Sequence, residues 1–418
     1  MFLPVLKKRN PELIRAAVIL HQEGKIPPNT WVIDLDTIAY NAEILAQNAR
    51  KYHLTTYVMS KQHARNPMVN LVAIQKGLYK TVAVDIQCAK IMHRYRVPVG
   101  HIGHLNQIPQ GDLIFALGME PDVVTIYSVD IARALSDTAK KMGKTQDLLI
   151  RVVGTHDQFF IGQEGGIPEE QLGYAVHEIN KLSNVQIVGV TSFPCIRYNR
   201  TPDIPVELTE NFYTILRAAE TLKKMGIEVK QINAPGNTSS DTFELLASYG
   251  ATHVEPGHGL LGTTPNHAFK EGLPEKPSYL YLTEVSHSVG NDAYVYGGGF
   301  WSDIHDPNHV SRALTGTTPD NIFNKEFDSI PMKQIIDYHG VLKGAVSQVH
   351  RGDTVVFGFR TQMQMTRSYI AVLSGVSQNQ PQLEGLFDHA GTMITFNQDV
   401  IPTPDAIIRI NKTVSKYK

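Results

Sequence analysis

Short runs of apolar and β-branched residues alternate with longer amphipathic stretches between about residues 30 and 260. The runs include WVIDLD at 31–36, TTYVMS at 55–60 and TVAVD at 81–85, and PVELTENFYTILRAAETLKKMG at 205–226 is a typical amphipathic stretch. Apolar residues on one helical face predict helices, and short β-branched runs predict strands. Strands that alternate with helices predict a parallel sheet.

Nine runs of this kind occur in about 230 residues, which suits an eight-stranded βα barrel of the TIM type with one strand left over. A doubly wound open sheet has the same alternation, so the periodicity leaves both α/β architectures open. After residue 275 the pattern changes to alternating runs with glycine turns, which predicts a mostly antiparallel β domain. We therefore predict an N-terminal extension with one helix at 1–28, the barrel at 29–275 and the β domain at 276–418.

The composition limits the class of protein. The 418 residues carry a formal net charge of −1 and lack a basic stripe, which argues against binding to nucleic acid or to an anionic membrane surface. No apolar run reaches the roughly 18 residues of a membrane span. Two cysteines are too few for a disulfide framework, and the N-terminus lacks the pattern of a secretory signal, so we expect a cytoplasmic protein.

Polar residues follow several predicted strands, at the end where a βα barrel places its active site. Lys61 directly follows TTYVMS, and a lysine amine at the barrel mouth can condense with a carbonyl compound. A lysine that opens a surface loop would give the same pattern. Asn237, Thr238 and Ser239 lie at an apparent helix N-terminus, which binds phosphate through its free N–H groups. A plain helix cap is the alternative interpretation.

The segment VEPGHGLLG at 254–262 closes the last predicted barrel strand. Its Glu255 carboxylate can pair with a cationic ring nitrogen or, alternatively, with an arginine. The backbone N–H groups of Gly257 and His258 can contribute to a phosphate site. An amine, phosphate donors and a carboxylate together match the aldehyde, the phosphate and the ring nitrogen of pyridoxal phosphate.

Five segments, in the same order along the chain, resemble those of the alanine-racemase-like pyridoxal-phosphate enzymes of fold type III. The nearest resemblance is to the YhfX-like group of that family. The segments are IDLDTIAYNAEIL at 33–45, YVMSKQHARNP at 57–67, GVTSFPC at 189–195, GNTSS at 236–240 and VEPGHGLLG.

The resemblance implies roles for individual residues. Lys61 resembles the Schiff-base lysine, which also moves a proton on one face of the substrate. Thr238 resembles the phosphate-binding serine, and Gly257 and His258 match the two backbone donors. The family commonly takes its second acid/base, a tyrosine, from the β domain of a partner subunit, which implies a homodimer with shared active sites that acts on an amino acid.

The second acid/base is open at this point. Tyr294, Tyr296 and His287 lie on predicted strands of the β domain, and Cys195 lies near the barrel mouth. In the same domain, Tyr369 resembles the tyrosine that contacts the cofactor phosphate in the family.

Several positions depart from the racemase pattern. Alanine racemases place arginine opposite the ring nitrogen, whereas this chain has Glu255, and the Glu-Pro-Gly sequence resembles related amino-acid decarboxylases. Arg65 replaces a tyrosine four residues after the lysine, and we expect it to contact a phosphate or a carboxylate. The substrate-side arginine and the ring-stacking histidine align near Phe160 and Phe193.

The function expected from the sequence is that of a pyridoxal-phosphate-dependent enzyme acting at the α-carbon of an amino acid, with racemisation as the first expectation. Decarboxylation is the alternative that the Glu-Pro-Gly sequence supports. A pyridoxal-phosphate carrier or homeostasis protein is the alternative of another class. Such carriers resemble the barrel alone, so residues 276–418 argue against it.

No metal site is expected. The histidine pairs His101–His104 and His305–His309 have no evident acidic or cysteine ligand to complete either one. The D-threonine aldolase branch binds a metal through a His-x-Cys pair in the β domain. The corresponding segment here, FGFRTQMQMTRS at 357–368, contains neither residue type.

Overall fold

The structure, a computed structural model, describes residues 2–198, 206–300, 311–330 and 337–418. In chain order, its α-helices are α1 (Leu3–Arg9), α2 (Pro11–Gln22), α3 (Leu35–Lys51), α4 (Pro67–Gln75), α5 (Ile86–Arg94), α6 (Leu113–Gly118), α7 (Val129–Lys141), α8 (Leu172–Ile179), α9 (Glu210–Lys224), α10 (Ser240–Ser248), α11 (Pro265–Phe269) and α12 (Thr403–Ser415). None of these helices combines the length and the apolar character needed to cross a membrane.

The strands, also in chain order, are β1 (Thr30–Asp34), β2 (Thr55–Met59), β3 (Lys80–Ala83), β4 (Val99–Ile102), β5 (Val123–Ile126), β6 (Gln146–Val153), β7 (Ile167–Pro168), β8 (Val185–Thr191), β9 (Ile196–Tyr198), β10 (Val206–Leu208), β11 (Gln231–Asn233), β12 (His253–Val254), β13 (Tyr279–Val289), β14 (Asp292–Tyr296), β15 (Ser311–Gly316), β16 (Glu326–Ile330), β17 (His339–Leu342), β18 (Thr354–Phe357), β19 (Tyr369–Ser374), β20 (Gln382–Phe387) and β21 (Met393–Ile394).

Eight parallel strands of the described chain close into a barrel. They follow the order β2, β3, β4, β5, β6, β8, β11 and β12, and β12 pairs with β2 to complete the ring. A doubly wound sheet has two open edges, so the closed ring confirms the predicted βα barrel. The carboxyl ends of these parallel strands therefore meet at one face of the molecule.

A second sheet contains ten strands in the order β14, β17, β16, β15, β18, β13, β1, β19, β20 and β21. Its pairings are antiparallel except that between β1 and β19, which confirms the predicted mostly antiparallel β domain. Of the nine apolar runs predicted to be strands, β1 is the one that is not part of the barrel. Its residues fall inside the predicted barrel range 29–275, but they pair with β13 and β19 of the second sheet.

The N-terminal segment forms two helices where one was expected, and both pack on the second sheet. Asn10 separates the helices, and its side-chain oxygen accepts a hydrogen bond from Leu13 N at the start of α2. Leu6 and Leu13 are buried in one apolar cluster with residues of β13 such as Leu280. Burial of this apolar surface joins the segment to the β sheet.

Candidate active site

A cavity of about 630 Å³ lies at the carboxyl ends of the barrel strands. Its lining comes mainly from segments that follow β2, β4, β6, β8, β11 and β12, and the loop after β18 contributes Arg360 and Gln362. The predicted site residues that line it are Lys61, Asn237, Glu255, Gly257 and His258. The fold thus brings together these five predicted residues, although Lys61 and His258 are 197 positions apart in the sequence.

Lys61 lies on a 3₁₀ turn, Ser60–His63, that follows β2. Its side chain is half-buried, and its Nζ lies 6.0 Å from the centre of the Phe193 ring. Ala64 and Arg65 directly after the turn have φ angles of 53° and 57°. Left-handed backbone at residues other than glycine is strained, and such strain is often found at functional sites.

Glu255 follows β12 and is 3% exposed. Its Oε1 lies 2.8 Å from Nδ1 of His101 and accepts a hydrogen bond of 2.8 Å from Nδ2 of Asn233. Its Oε2 lies 3.6 Å from Nε2 of His104 and has no hydrogen-bond partner among the described residues. One carboxylate oxygen is therefore fully occupied, and the other is left for a ligand.

The surroundings of Glu255 keep it ionised. Burial by itself raises the pKa of Glu255, but the hydrogen bonds from His101 and Asn233 outweigh it and hold the pKa below its usual range. Burial lowers the pKa of His104 to about 3, so that imidazole is neutral at neutral pH. Since a neutral His104 carries no charge, the donors from His101 and Asn233 are what hold the carboxylate in its charged form.

These contacts correct the expectation that no acidic ligand completes the His101–His104 pair. The ligand atoms of His101, His104 and Glu255 all lie within 4.8 Å of one another, although Glu255 is 154 positions from His101 in the sequence. They form a group that can bind a metal ion. The other pair, His305–His309, lies outside the described residues.

The loop before α10 forms the other end of the cavity. Asn237 has a φ angle of 49° and lines the cavity, whereas its neighbour Thr238 is fully buried and does not. Thr238 Oγ1 has no hydrogen-bond partner among the described residues. Ser239 is the N-cap of α10, and its hydroxyl donates to Asp241, so the plain-cap interpretation holds for this residue.

Two cavity residues near Asn237 were not found from the sequence. Arg360 Nη2 donates a hydrogen bond of 2.6 Å to Asn237 Oδ1, and Tyr198 Oη donates one of 2.8 Å to Asn237 O. Burial raises the pKa of the Tyr198 phenol, so it stays protonated. Arg360 adds a positive charge where the sequence predicted a phosphate site.

Glycines allow the segment that follows β12 to pack tightly against its neighbours. A Cβ added at Gly257 would lie 2.4 Å from Oε1 of Gln62, in the turn that carries Lys61. A Cβ added at Gly259 would lie 2.2 Å from the carbonyl oxygen of Thr238. The backbone contact at Gly259 excludes any side chain there, whereas a side chain at Gly257 would require Gln62 to move.

Two residues that were predicted to contact the cofactor, Arg65 and Tyr369, are not part of the cavity lining. The Arg65 side chain points away from the cavity, where Nε donates to Cys88 Sγ at 3.3 Å and Nη1 to the carbonyl of His389 at 3.0 Å. Tyr369 lies on β19 opposite Thr30 and packs against the apolar cluster that includes α1 and α2. Neither residue lines the cavity.

The candidates for the second acid/base do not line the cavity of their own chain. His287 and Tyr294 stack with ring centres 4.9 Å apart on a partly exposed face of the second sheet, and His339 lies beside them and Tyr296. Cys195 is fully buried behind the cavity lining, and burial raises the pKa of its thiol, which disfavours proton transfer by this residue.

The residues present fit pyridoxal phosphate. Glu255 Oε2 and Thr238 Oγ1 are buried without a hydrogen-bond partner in the described part of the chain, and an unsatisfied buried group costs about 1–3 kcal/mol. A ligand with a cationic N–H at one end and a phosphate at the other would satisfy both oxygens. Lys61 and Arg360 line the same cavity, where they would supply the amine and a positive charge at the phosphate end.

Comparison with known proteins agrees with this fit. The profile "Alanine racemase, N-terminal domain" matches residues 33–265, and "YhfX-like, C-terminal domain" matches residues 280–383. The chain is 38% identical over 399 residues to the protein YhfX of Escherichia coli, across 94% of this chain and all of that protein.

More distant similarity extends to proteins of known activity. The chain is 26% identical over 269 residues to alanine racemase 1 of Clostridium acetobutylicum, across 61% of this chain and 63% of that protein. The crystal structure of D-threonine aldolase from Filomicrobium marinum superimposes with a TM-score of 0.61 at 14% identity, across 90% of this chain and 94% of that one, and shows a common fold.

The chain belongs to the alanine-racemase-like family, within its YhfX-like group. Alanine-racemase-like family members bind pyridoxal phosphate.

Proposed function

We propose that this protein is a pyridoxal-phosphate-dependent enzyme that acts at the α-carbon of an amino acid, with racemisation as its reaction. The observation that carries the proposal is a single cavity lined by Lys61 and by Glu255, whose Oε2 is buried without a hydrogen-bond partner in the described residues. When bound, the cofactor supplies an aldehyde that condenses with amines and a ring that withdraws electrons from the bond being broken.

Lys61 is the residue that holds the cofactor and moves the proton of the α-carbon on one face. Its position at the carboxyl end of β2 places the amine at the cavity, and the 3₁₀ turn fixes its backbone. The aromatic ring of Phe193 forms the nearby wall, 6.0 Å from Nζ. This apolar wall limits access of water to the proton that Lys61 transfers.

Glu255 orients the ring and keeps its nitrogen protonated. An ionised carboxylate with one oxygen to spare accepts a hydrogen bond from a cationic ring nitrogen and favours the protonated form. By holding the ring nitrogen in its protonated form, Glu255 would favour loss of the α-proton to Lys61. The glutamate thus supports racemisation and other reactions at the same carbon.

Asn237, Thr238 and Arg360 surround the proposed phosphate end. The Thr238 hydroxyl is a buried donor without a partner in the described residues. Arg360, on the loop after β18 of the second sheet, contributes a positive charge. We assign the backbone N–H groups of Gly257 and His258 to the same phosphate end, because the segment after β12 packs directly on Thr238.

Inversion requires an acid on the opposite face of the α-carbon. Tyr294 and His287 lie outside the cavity of their own chain, so we propose that they serve the cavity of a second copy in a homodimer. The partly exposed position of this stacked pair on the second sheet supports the proposal, since it leaves both rings accessible to another chain.

Decarboxylation is a second candidate. The Glu255-Pro256-Gly257 sequence resembles that of related decarboxylases. The ionised Glu255 would keep the ring nitrogen protonated, which favours loss of carbon dioxide as well as loss of a proton. Decarboxylation also proceeds without acids on both faces of the α-carbon.

Proton exchange in heavy water tests the proposal. A panel of D- and L-amino acids is incubated with the holoprotein in deuterium oxide, and NMR and chiral chromatography follow the α-proton and the optical purity. We expect at least one amino acid to gain deuterium and to lose optical purity. Carbon dioxide release without racemisation would replace the reaction with decarboxylation, and a panel without exchange or carbon dioxide would overturn both.

A further inference from the structure

His101 and Thr125 form a buried chain of hydrogen bonds behind Glu255. The Nδ1 atom of His101 lies 2.8 Å from Glu255 Oε1, and its Nε2 lies 2.6 Å from Thr125 Oγ1. The side chain of His101 is 0% exposed and that of Thr125 is 1% exposed, so bulk water does not compete for these contacts.

Asn233 donates to Glu255 Oε1, which makes this oxygen an acceptor and sets the direction of its contact with His101. An ionised carboxylate only accepts, so His101 donates from Nδ1–H. The other ring nitrogen, Nε2, lies within hydrogen-bond distance of the Thr125 hydroxyl, which can donate or accept. The contact with Thr125 therefore holds the orientation of the His101 ring, as outer residues commonly do for histidines that support a reactive group.

The geometry also decides which oxygen remains for a ligand. Asn233 donates to the same Oε1 at 2.8 Å, so this oxygen has two donors. Oε2 has no hydrogen-bond partner in the described residues, and the nearest ring nitrogen of His104 lies 3.6 Å away. The carboxyl group cannot rotate without losing both contacts at Oε1.

We propose that His101, fixed by Thr125, is a positioning residue that orients Glu255 so that Oε2 alone receives the ring nitrogen of the cofactor. This inference rests on the proposed function. His101 acts through Glu255 and does not line the cavity itself. Its effect is therefore specific to ligands that carry a hydrogen on the ring nitrogen.

Two cofactor ligands separate this role from a general structural one. The first is pyridoxal phosphate, and the second is its analogue in which carbon replaces the ring nitrogen and no N–H can form. Affinities of the apoprotein for both are measured by absorbance titration. We expect His101→Leu to weaken the binding of pyridoxal phosphate about tenfold, which corresponds to the loss of one hydrogen bond to a charged group. The affinity for the analogue should not change.

Matched variants sharpen the test. In His101→Asn the side-chain amide can replace the Nδ1–H donor, so selectivity for pyridoxal phosphate should return almost to the wild-type value. Thr125→Val removes the hydroxyl that contacts His101 Nε2 with little change in shape, and we expect about a threefold loss of affinity for pyridoxal phosphate alone. It also provides the test if His101→Leu does not fold. His253→Asn, a largely buried histidine outside the cavity, is the control and should not change selectivity.

Three results would overturn the inference. If His101→Leu and Thr125→Val weaken the binding of both ligands equally, His101 has a structural role. A stoichiometric divalent metal in purified wild-type protein that is absent from His101→Leu would make His101, His104 and Glu255 metal ligands instead. Failure of the wild-type protein to bind pyridoxal phosphate would remove the proposed function itself and this inference with it.

Discussion

Arg360 donates a hydrogen bond of 2.6 Å from Nη2 to Oδ1 of Asn237, although the two residues are 123 positions apart. The contact joins the loop after β18 of the second sheet to the loop after β11 of the barrel. It places a guanidinium at the end of the cavity where Thr238 offers an unsatisfied hydroxyl. Both domains therefore contribute to the proposed phosphate site.

Replacement of Arg360 should weaken cofactor binding. We expect Arg360→Gln to raise the dissociation constant for pyridoxal phosphate about tenfold, because a charged contact to the phosphate and the support of Asn237 are both lost. The measurement is absorbance titration of the apoprotein. Arg367→Gln, an exposed arginine on the same loop that pairs with Asp337, is the control. Equal affinity in the wild type and Arg360→Gln would exclude Arg360 from the phosphate site.

The charge of Glu255 should matter more for the reaction than for holding the cofactor. We expect Glu255→Gln to bind pyridoxal phosphate through Lys61. Its α-proton exchange should be about 100-fold slower than that of the wild type, because the ring nitrogen loses its anionic partner. Deuterium incorporation under single-turnover conditions is the measurement. Glu284→Gln, a half-buried carboxyl on β13, should leave the rate unchanged. An undiminished exchange rate in Glu255→Gln would refute the proposed role of Glu255 in keeping the ring nitrogen protonated.

The shared active site can be tested by mixing two inactive variants. Lys61→Ala and Tyr294→Phe each lack one of the two proposed groups, so each homodimer should racemise poorly. A mixed dimer contains one cavity with both groups intact, and random mixing should restore about a quarter of the wild-type activity. Activity of the mixture no higher than the average of the two variants would show that Tyr294 does not serve a neighbouring cavity.

Acid should destabilise the fold through buried histidines. Burial lowers the pKa of His63 from 6.5 to about 4, so the unfolded chain binds a proton over a pH range in which the folded chain does not. The stability linked to His63 is complete above pH 6.5 and is lost as the pH falls toward 4, by about 3 kcal/mol.

We therefore expect His63→Gln to lose about 3 kcal/mol less unfolding free energy than the wild type between pH 7 and pH 4. Urea unfolding at several pH values measures the difference. The exposed His177→Gln variant should follow the wild type. Identical pH profiles for His63→Gln and the wild type would show that His63 is not kept neutral by the fold.

The sequence predicted the parts of the site that depend on strand ends. Lys61, Glu255 and Gly257 directly follow barrel strands, and a closed barrel gathers such positions at one face. Strand β1 shows the limit of this reasoning. Its apolar pattern resembles that of a barrel strand, and only its pairing with β13 and β19 assigns it to the other sheet.

Contacts between distant segments could not be predicted from local pattern. His101 reaches Glu255 across the barrel interior, and Arg360 reaches Asn237 from another domain. The contact of Arg65 with Cys88 could not be predicted for the same reason, and Arg65 itself has a left-handed backbone with a φ angle of 57°. Side-chain direction depends on backbone angles that residue identity alone does not determine.

The central claim, that Lys61 holds the cofactor, is tested most directly by chemical trapping. Holoprotein is treated with borohydride, which reduces a lysine–cofactor link to a stable secondary amine, then digested and analysed by mass spectrometry. The account predicts one modified peptide, carrying the phosphopyridoxyl group on Lys61. A modified peptide from any other part of the chain, or no modification of protein shown to contain the cofactor, would contradict it.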